Sequence, residues 1–204
     1  HKNPRISLKT VEKVQQAMID LKYHPNAAAS SLARGKTHTL GLIIPSSEDE
    51  LFVHPFFIRA MRGLSIEAQR RNYNIMFYFS SHQDEEVAFI KRATRMNLVD
   101  GIILTISREQ DKCMEYLEEK DIPYVLIGRP GGKYKKALWV DSDNFQAMYN
   151  LVIYFLNQGT QKIAFMGGSP DFMVTKDRLR GYREALRTHG IVQDDELIFL
   201  GDSF

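Results

Sequence analysis

From residue 40 onward, short apolar runs alternate with longer amphipathic stretches, and this alternation narrows the fold more than any other feature of the chain. The runs at 40–44, 74–79, 101–105, 124–127, 137–140 and 162–166 predict strands. Between them, helical periodicity covers 56–71, 85–96, 112–119, 145–157 and 178–189. Strands that are apolar at nearly every position belong in a parallel sheet covered by helices on both faces, an α/β architecture. Ligands of such sheets sit beyond the carboxyl ends of the strands. Attention therefore falls on the stretches that follow them, 45–55, 105–108, 128–132 and 167–175. Gly159 ends a helix, and a new strand–loop–helix unit starts after it. The pattern thus predicts a first lobe over 39–160 and the start of a second over 161–204.

The first 38 residues read differently. Ser7 is placed to cap a helix over 8–21 carrying Val11, Val14, Met18 and Leu21 on one stripe. Pro25 stops it, and Asn26 can cap a much shorter, alanine-rich helix over 27–33 that Gly35 ends. This head holds seven Lys and Arg against two acidic residues, whereas the whole chain has a net charge of only +2. A basic head on a mildly acidic body fits a localised nucleic-acid contact or a solvated basic surface.

Several function classes fit poorly. Hydrophobic residues at 44% can fill a core, which argues against global disorder. The single cysteine, Cys113, allows no internal disulfide. No run approaches the roughly 18–20 apolar residues that span a bilayer, and the N-terminus is polar, so the expectation is a cytoplasmic protein with no membrane partner. Gly167-Gly168-Ser169-Pro170 lacks the ending of a phosphate-binding loop, and no dinucleotide fingerprint is present, so no cofactor is expected. No histidine lies near Cys113 to activate it, no pair of histidines has metal-ligand spacing, and no acid–base pair stands out. Catalysis is not expected.

A resemblance then adds to this reading. The segments Asn3-Pro4-Arg5-Ile6-Ser7, Thr10-Val11-Glu12-Lys13-Val14, Leu21-Lys22-Tyr23-His24-Pro25-Asn26-Ala27-Ala28-Ala29 and Ser31-Leu32-Ala33 resemble the lactose repressor family. They are similar to the third helix of that family's DNA-binding head and to its hinge helix. Thr39-Leu40-Gly41-Leu42-Ile43-Ile44-Pro45, Asp100-Gly101-Ile102-Ile103, Val140-Asp141-Ser142-Asp143-Asn144 and Asp177-Arg178-Leu179-Arg180-Gly181-Tyr182 continue the match in order. Within the family, Ile127-Gly128-Arg129-Pro130 and the Asp-x-Asp-Asn run look most like maltose-operon repressors.

The resemblance implies a periplasmic-binding-protein-like, two-lobed core with parallel sheets, preceded by a partial helical DNA-binding head and hinge over 1–38. The family's helix-turn-helix would precede His1, and further strands would follow Phe204. It implies a sugar-responsive repressor that binds double-stranded operator DNA as a homodimer and answers to a small-molecule sugar, maltose or a maltodextrin. The alternative is a stand-alone sugar-binding protein of the transport type, which lacks DNA binding; the basic hinge and the polar N-terminus oppose it. By resemblance, Leu32 is the wedge that a hinge helix pushes into the minor groove and Ala29 packs the groove floor, with Arg5, Asn26, Arg34 and Lys36 as further DNA contacts. Arg178 takes the position of the family's sugar-contacting arginine, the alternative being an ion pair with Asp177 or Glu184. Thr105 and Ser107 follow a strand and can hydrogen-bond a sugar, and Phe56, Trp139 and Phe172 are either pocket walls or core. Asp143 is either a ligand contact or a helix cap. Gly128 replaces an aspartate of the family, which removes an acceptor and leaves room for a longer ligand. Met61 and Leu64 are the expected contacts to a second copy of the chain.

Overall fold

The computed structural model describes residues 7–23, 35–45, 55–80 and 82–201. The chain divides into two units, His1–Thr37 and His38–Phe204. In the first, helix α1 (Leu8–Asp20) starts where Ser7 Oγ accepts a hydrogen bond from the Thr10 amide at 3.2 Å. None of its residues is buried, and Lys36, further along, is exposed. The short helix expected at 27–33 lies outside the described residues, as do Arg5, Asn26, Ala29, Leu32 and Arg34.

The second unit opens on a parallel sheet. Its strands are β1 (Thr39–Ile44), β2 (Asn74–Phe79), β3 (Gly101–Leu104), β4 (Tyr124–Ile127) and β5 (Leu138–Val140), in the order β2-β1-β3-β4-β5. Helices α2 (Pro55–Arg70), α3 (Gln83–Arg95) and α4 (Lys112–Glu119) make the crossovers. Two rows of side chains alternate across the pleat. Ile43, Leu104 and Leu126 stand in register and are buried with Phe89, Ile90, Met114 and Leu117 of α3 and α4. Leu42, Ile44 and Ile103 lie in a second cluster with Phe57. Each such side chain contributes about 1.5–3 kcal/mol on burial, so the sheet's apolar rows are what hold this lobe.

Helix α2 presents one apolar stripe to the sheet. Phe57, Met61, Leu64 and Ala68 recur at helical spacing and form a single stripe; Phe57 and Ala68 are buried, and Met61 and Leu64 pack against the cluster around Phe57. Met61 and Leu64 are thus partly buried toward the chain's own sheet. The apolar residues that α2 leaves exposed are Phe56, Ile58 and Ile66.

A separate core lies beyond β5. It joins Val152 of α5 (Asn144–Asn157), Phe165 of β6 (Phe165–Gly167), and Tyr182, Ala185 and Leu186 of α6 (Met173–Thr188). The pattern puts the helix at 145–157 in the first lobe, but its buried stripe, with Met148, Tyr149 and Leu156, packs here. The lobes thus part at residues 141–143, not near 160. The approach of α5 to α6 is close: a Cβ on Gly181 would lie 2.3 Å from the Phe145 carbonyl oxygen, so only glycine fits there.

The second lobe also departs from the pattern in its strands and helix ends. β6 lies three residues later than the run starting at Lys162, and it pairs in parallel with β7 (Ile198–Leu200), which follows a short 3-10 turn capped by Asp194. Helix α6 begins at Met173, five residues ahead of the expected start at Arg178.

Candidate functional site

The carboxyl ends of β3 and β4 meet the start of α6. Here the two lobes touch through main chain and charge. The Met173 amide donates to the Ser107 carbonyl at 3.0 Å, and the Glu109 amide to the Asp171 carbonyl at 3.0 Å. Arg108 and Phe172 form an antiparallel bridge between these segments, and the Arg108 guanidinium lies 5.7 Å from the centre of the Phe172 ring. That guanidinium is fixed from the first lobe by two bonds to Glu86 of α3, at 2.8 and 2.9 Å. Burial opposes the Arg108 charge, but the Glu86 hydrogen bonds and the neighbouring carboxylates outweigh it and raise the pKa.

A second polar group ties α6 to the start of α5. Arg178 Nε donates to Asn144 Oδ1 at 3.0 Å, and Asn144 Nδ2 donates to Asp141 Oδ1 at 3.1 Å and to the Ser142 carbonyl at 3.0 Å. Burial pushes the Asp141 carboxyl up from its ordinary range, against the Ser142 amide that bonds its charged form. Asn144 is buried, so its amide is oriented by bonds on both sides, and the arginine is aimed by it. Arg129 reaches across to Asp177 with two bonds, at 2.7 and 2.9 Å. The Asp177 hydrogen bond is the chief reason that the Arg129 pKa is raised.

The expected effector-site residues fall into two groups. Ser107 and Phe172 come to this lobe contact, and Arg178 lies five residues after Met173 in α6. Ser107 is 3% exposed, and its hydroxyl oxygen has no hydrogen-bond partner among the described residues. A buried hydroxyl left unmet costs about 1–3 kcal/mol, which a ligand hydroxyl reaching it would recover. The neighbouring Gly128 has φ +127°, which a side chain rarely tolerates, so an acceptor carried by a non-glycine residue does not suit this backbone.

The second group is Thr105, Phe56 and Trp139. The Thr105 hydroxyl is buried and donates to the Ile43 carbonyl at 2.9 Å, tying β3 to β1. Phe56 is half-exposed in the first turn of α2, edge-on to buried Phe57. Trp139 lies inside edge strand β5 in register with Leu126, half-exposed, and not in a loop past a strand end. Asp143 is a helix cap: its carboxylate accepts from the Gln146 amide at 2.8 Å. Arg178 forms no ion pair with Asp177 or Glu184; those carboxylates are taken by Arg129 and Arg180, and by Arg187. Cys113 is buried against Glu86, and burial pushes its thiol up, which suits packing and not nucleophilic attack.

The residues that sequence reasoning missed are Asn144, Arg108, Arg129, Glu86 and Asp177 in its actual pairing. Arg129 follows a strand and Asn144 ends the Asp-x-Asp-Asn run, so position after a strand was the available signal for both.

A profile for periplasmic binding proteins and the sugar binding domain of the LacI family matches residues 37–203. The chain belongs to this family. Among LacI-family proteins it is similar to the HTH-type transcriptional regulator MalR of Streptococcus pneumoniae, 34% identical over 199 residues that make up 98% of this chain and 60% of that one. A MalR of Staphylococcus xylosus is 30% identical over 94% of this chain and 57% of its own. The chain therefore spans less than two thirds of the length of these regulators. Of solved structures, a transcription regulator like protein from Staphylococcus haemolyticus superposes with a TM-score of 0.76 at 28% identity, over 82% of this chain and 62% of that one. A complex of the transcriptional regulator CelR with cellobiose gives 0.74 at 27% identity, over 97% and 58%. The chain is thus a MalR-like member of the family, whose named relatives are transcriptional regulators and not enzymes. Among the described residues no helix is long and apolar enough to cross a membrane.

Proposed function

We propose that this chain is the greater part of a sugar-responsive transcriptional repressor, with the effector held between the lobes and operator DNA held by the basic head. The observation that carries the reading is that buried Asn144 orients Arg178 on α6, the helix whose start meets the strand-end residue Ser107 with its unmet hydroxyl. A guanidinium offers forked donors to adjacent sugar hydroxyls, and a buried hydroxyl rewards a ligand that completes its bonding. Phe172, buried at the same contact, supplies an apolar surface for a sugar face. Similarity to MalR and to the cellobiose-bound CelR structure supports an oligosaccharide, and maltose or a maltodextrin is the effector proposed.

In this reading the protein works as a homodimer. The face of α2 that carries Ile58 and Ile66 meets the partner copy, because it is apolar and exposed. Head contacts by Leu32, Ala29, Arg5, Asn26, Arg34 and Lys36 rest on the family resemblance. Effector binding changes how the lobes are set and so changes operator affinity, by about 1–3 kcal/mol of coupling. The test is enrichment of duplexes from a random DNA pool by the full-length protein, followed by gel retardation with and without maltose. A palindromic site whose retention changes with maltose supports the proposal. Sugar binding with no selected duplex would favour the stand-alone sugar-binding alternative.

A further inference from the structure

The two lobes touch through a compact set of charged residues that the effector contacts proposed above do not use. Arg129 follows β4 in the first lobe, and Asp177 sits in α6 of the second. They bond through both nitrogens and both oxygens of a fork. Asp177 is 8% exposed at its side chain and Arg129 36%, so the pair is largely shielded on the carboxylate side. A second cross-lobe pair joins Lys176 to Glu109. Between these ties run the backbone bonds from Met173 to Ser107 and from Glu109 to Asp171, with Arg108 held under Phe172 by Glu86.

We infer that Arg129 and Asp177 are positioning residues that clasp the lobes together in the arrangement described, with Lys176–Glu109 as a weaker second tie. The inference rests on the effector reading only for its consequence, because the clasp itself concerns contacts between the lobes. Two arrangements of the lobes are in equilibrium, and a contact made in only one of them sets the ratio. Opening breaks the Arg129–Asp177 fork and hydrates both ends. Lobe opening and effector release then share one energetic step, so the clasp tunes effector affinity without touching sugar.

The arrangement makes an asymmetric prediction. Arg129→Gln leaves Asp177 a poorly exposed carboxylate, with Arg180 at 3.4 Å as its remaining cation. Opening would hydrate that charge, so this variant should favour the open form strongly. Asp177→Asn leaves an arginine already partly in solvent, and Asn keeps the side-chain shape. Its effect should be smaller, and that of Glu109→Gln, which breaks an exposed pair, smaller still.

The test uses full-length protein carrying nitroxides at Met96→Cys in the first lobe and Val192→Cys in the second, both exposed, with buried Cys113 left in place. Distances between the labels are read by pulsed electron resonance without any sugar. The expected result is one main distance in the parent and a growing second, open component in the variants. The open-to-closed ratio should rise about tenfold for Arg129→Gln and about threefold for Asp177→Asn. Arg187→Gln, which breaks a pair within α6, should leave the distribution unchanged. Superimposable distributions for the parent, Arg129→Gln and Asp177→Asn would overturn the clasp. If no sugar then shifts any distribution, the effector reading fails while the sugar-free distances still decide the clasp.

Discussion

Arg178 donates through Nε to the side-chain oxygen of Asn144, 34 residues earlier in the chain, and Asn144 is itself anchored to Asp141. An arginine presented in this way gives up little side-chain freedom when a ligand arrives. Removing the anchor should therefore weaken the ligand without removing the arginine. Asn144→Ala is expected to lower maltose affinity about tenfold, read by calorimetric titration, with the thermal midpoint less affected. Unchanged affinity would mean that Asn144 serves only the start of α5.

The contact between α5 and α6 leaves no room for a methyl group at Gly181. In an open helix, Gly→Ala would add up to about 1 kcal/mol of stability through propensity. Here the new Cβ meets backbone, the Phe145 carbonyl oxygen at 2.3 Å and the Tyr149 amide nitrogen at 3.1 Å, which cannot turn away as a side chain can. Gly181→Ala is expected to destabilise the protein by about 1–3 kcal/mol in denaturant unfolding. A gain in stability would contradict the packing described.

Asp143 caps α5 through the Gln146 amide. Asp143→Ala should cost about 1 kcal/mol of stability, and Asp143→Ser should recover most of it, since serine caps nearly as well. Sugar affinity should be the same in all three proteins. A selective loss of affinity in Asp143→Ala would return Asp143 to the effector contacts.

Glu67, on the exposed side of α2, is hydrogen-bonded by Arg70 and Arg71, and these bonds hold its carboxyl down at about 2, against an ordinary 4.5. Its folded value lies below the unfolded one. The stability it contributes is therefore present above about pH 4.5 and is lost as pH falls through about 2. The group is exposed, so salt screens the effect, with a Debye length of about 3 Å at about 1 M. Carbon-detected titration should place its midpoint near 2 at low salt and higher in Arg70→Gln. A midpoint at the ordinary value in both would show that the pairs do not persist in solution.

The sheet was largely legible before any coordinates. Strands with near-continuous apolar character, such as Tyr124–Ile127 and the fully buried Gly101–Leu104, have the expected bounds to within one residue. The second lobe was harder. Helix α6 has Phe172 at its N-cap with no side-chain cap bond, so nothing in the sequence marks its start. β7 is three residues long and only one of them is even partly buried, too short a run to separate from the loop before it. The lobe boundary was misplaced because a helix shows that it has an apolar face but not which core the face joins. Met61 and Leu64 complete an inward stripe with Phe57 and Ala68, and periodicity alone does not show which core a stripe joins.

At the candidate site, Ser107 enters the proposal by its position after a strand and Arg178 by the family pattern. The partners of these residues could not be read in the same way. Asp177 and Arg178 are adjacent on a helix and point apart, so sequence neighbours suggested a pair that geometry forbids. Arg129 and Asp177 are 48 residues apart in the chain, and Arg108 and Glu86 are 22, and only the meeting of the lobes and the crossover of α3 bring them together.

The central claim is that a sugar binds between the lobes on Arg178. The most direct measurement is calorimetric titration of the full-length protein and of Arg178→Ala with maltose, maltotriose, glucose and lactose. Saturable binding of maltose or maltotriose, weaker or absent for glucose and lactose, and reduced at least about tenfold in Arg178→Ala, is the predicted result. Binding of maltose with equal strength by the parent and by Arg178→Ala would contradict the account.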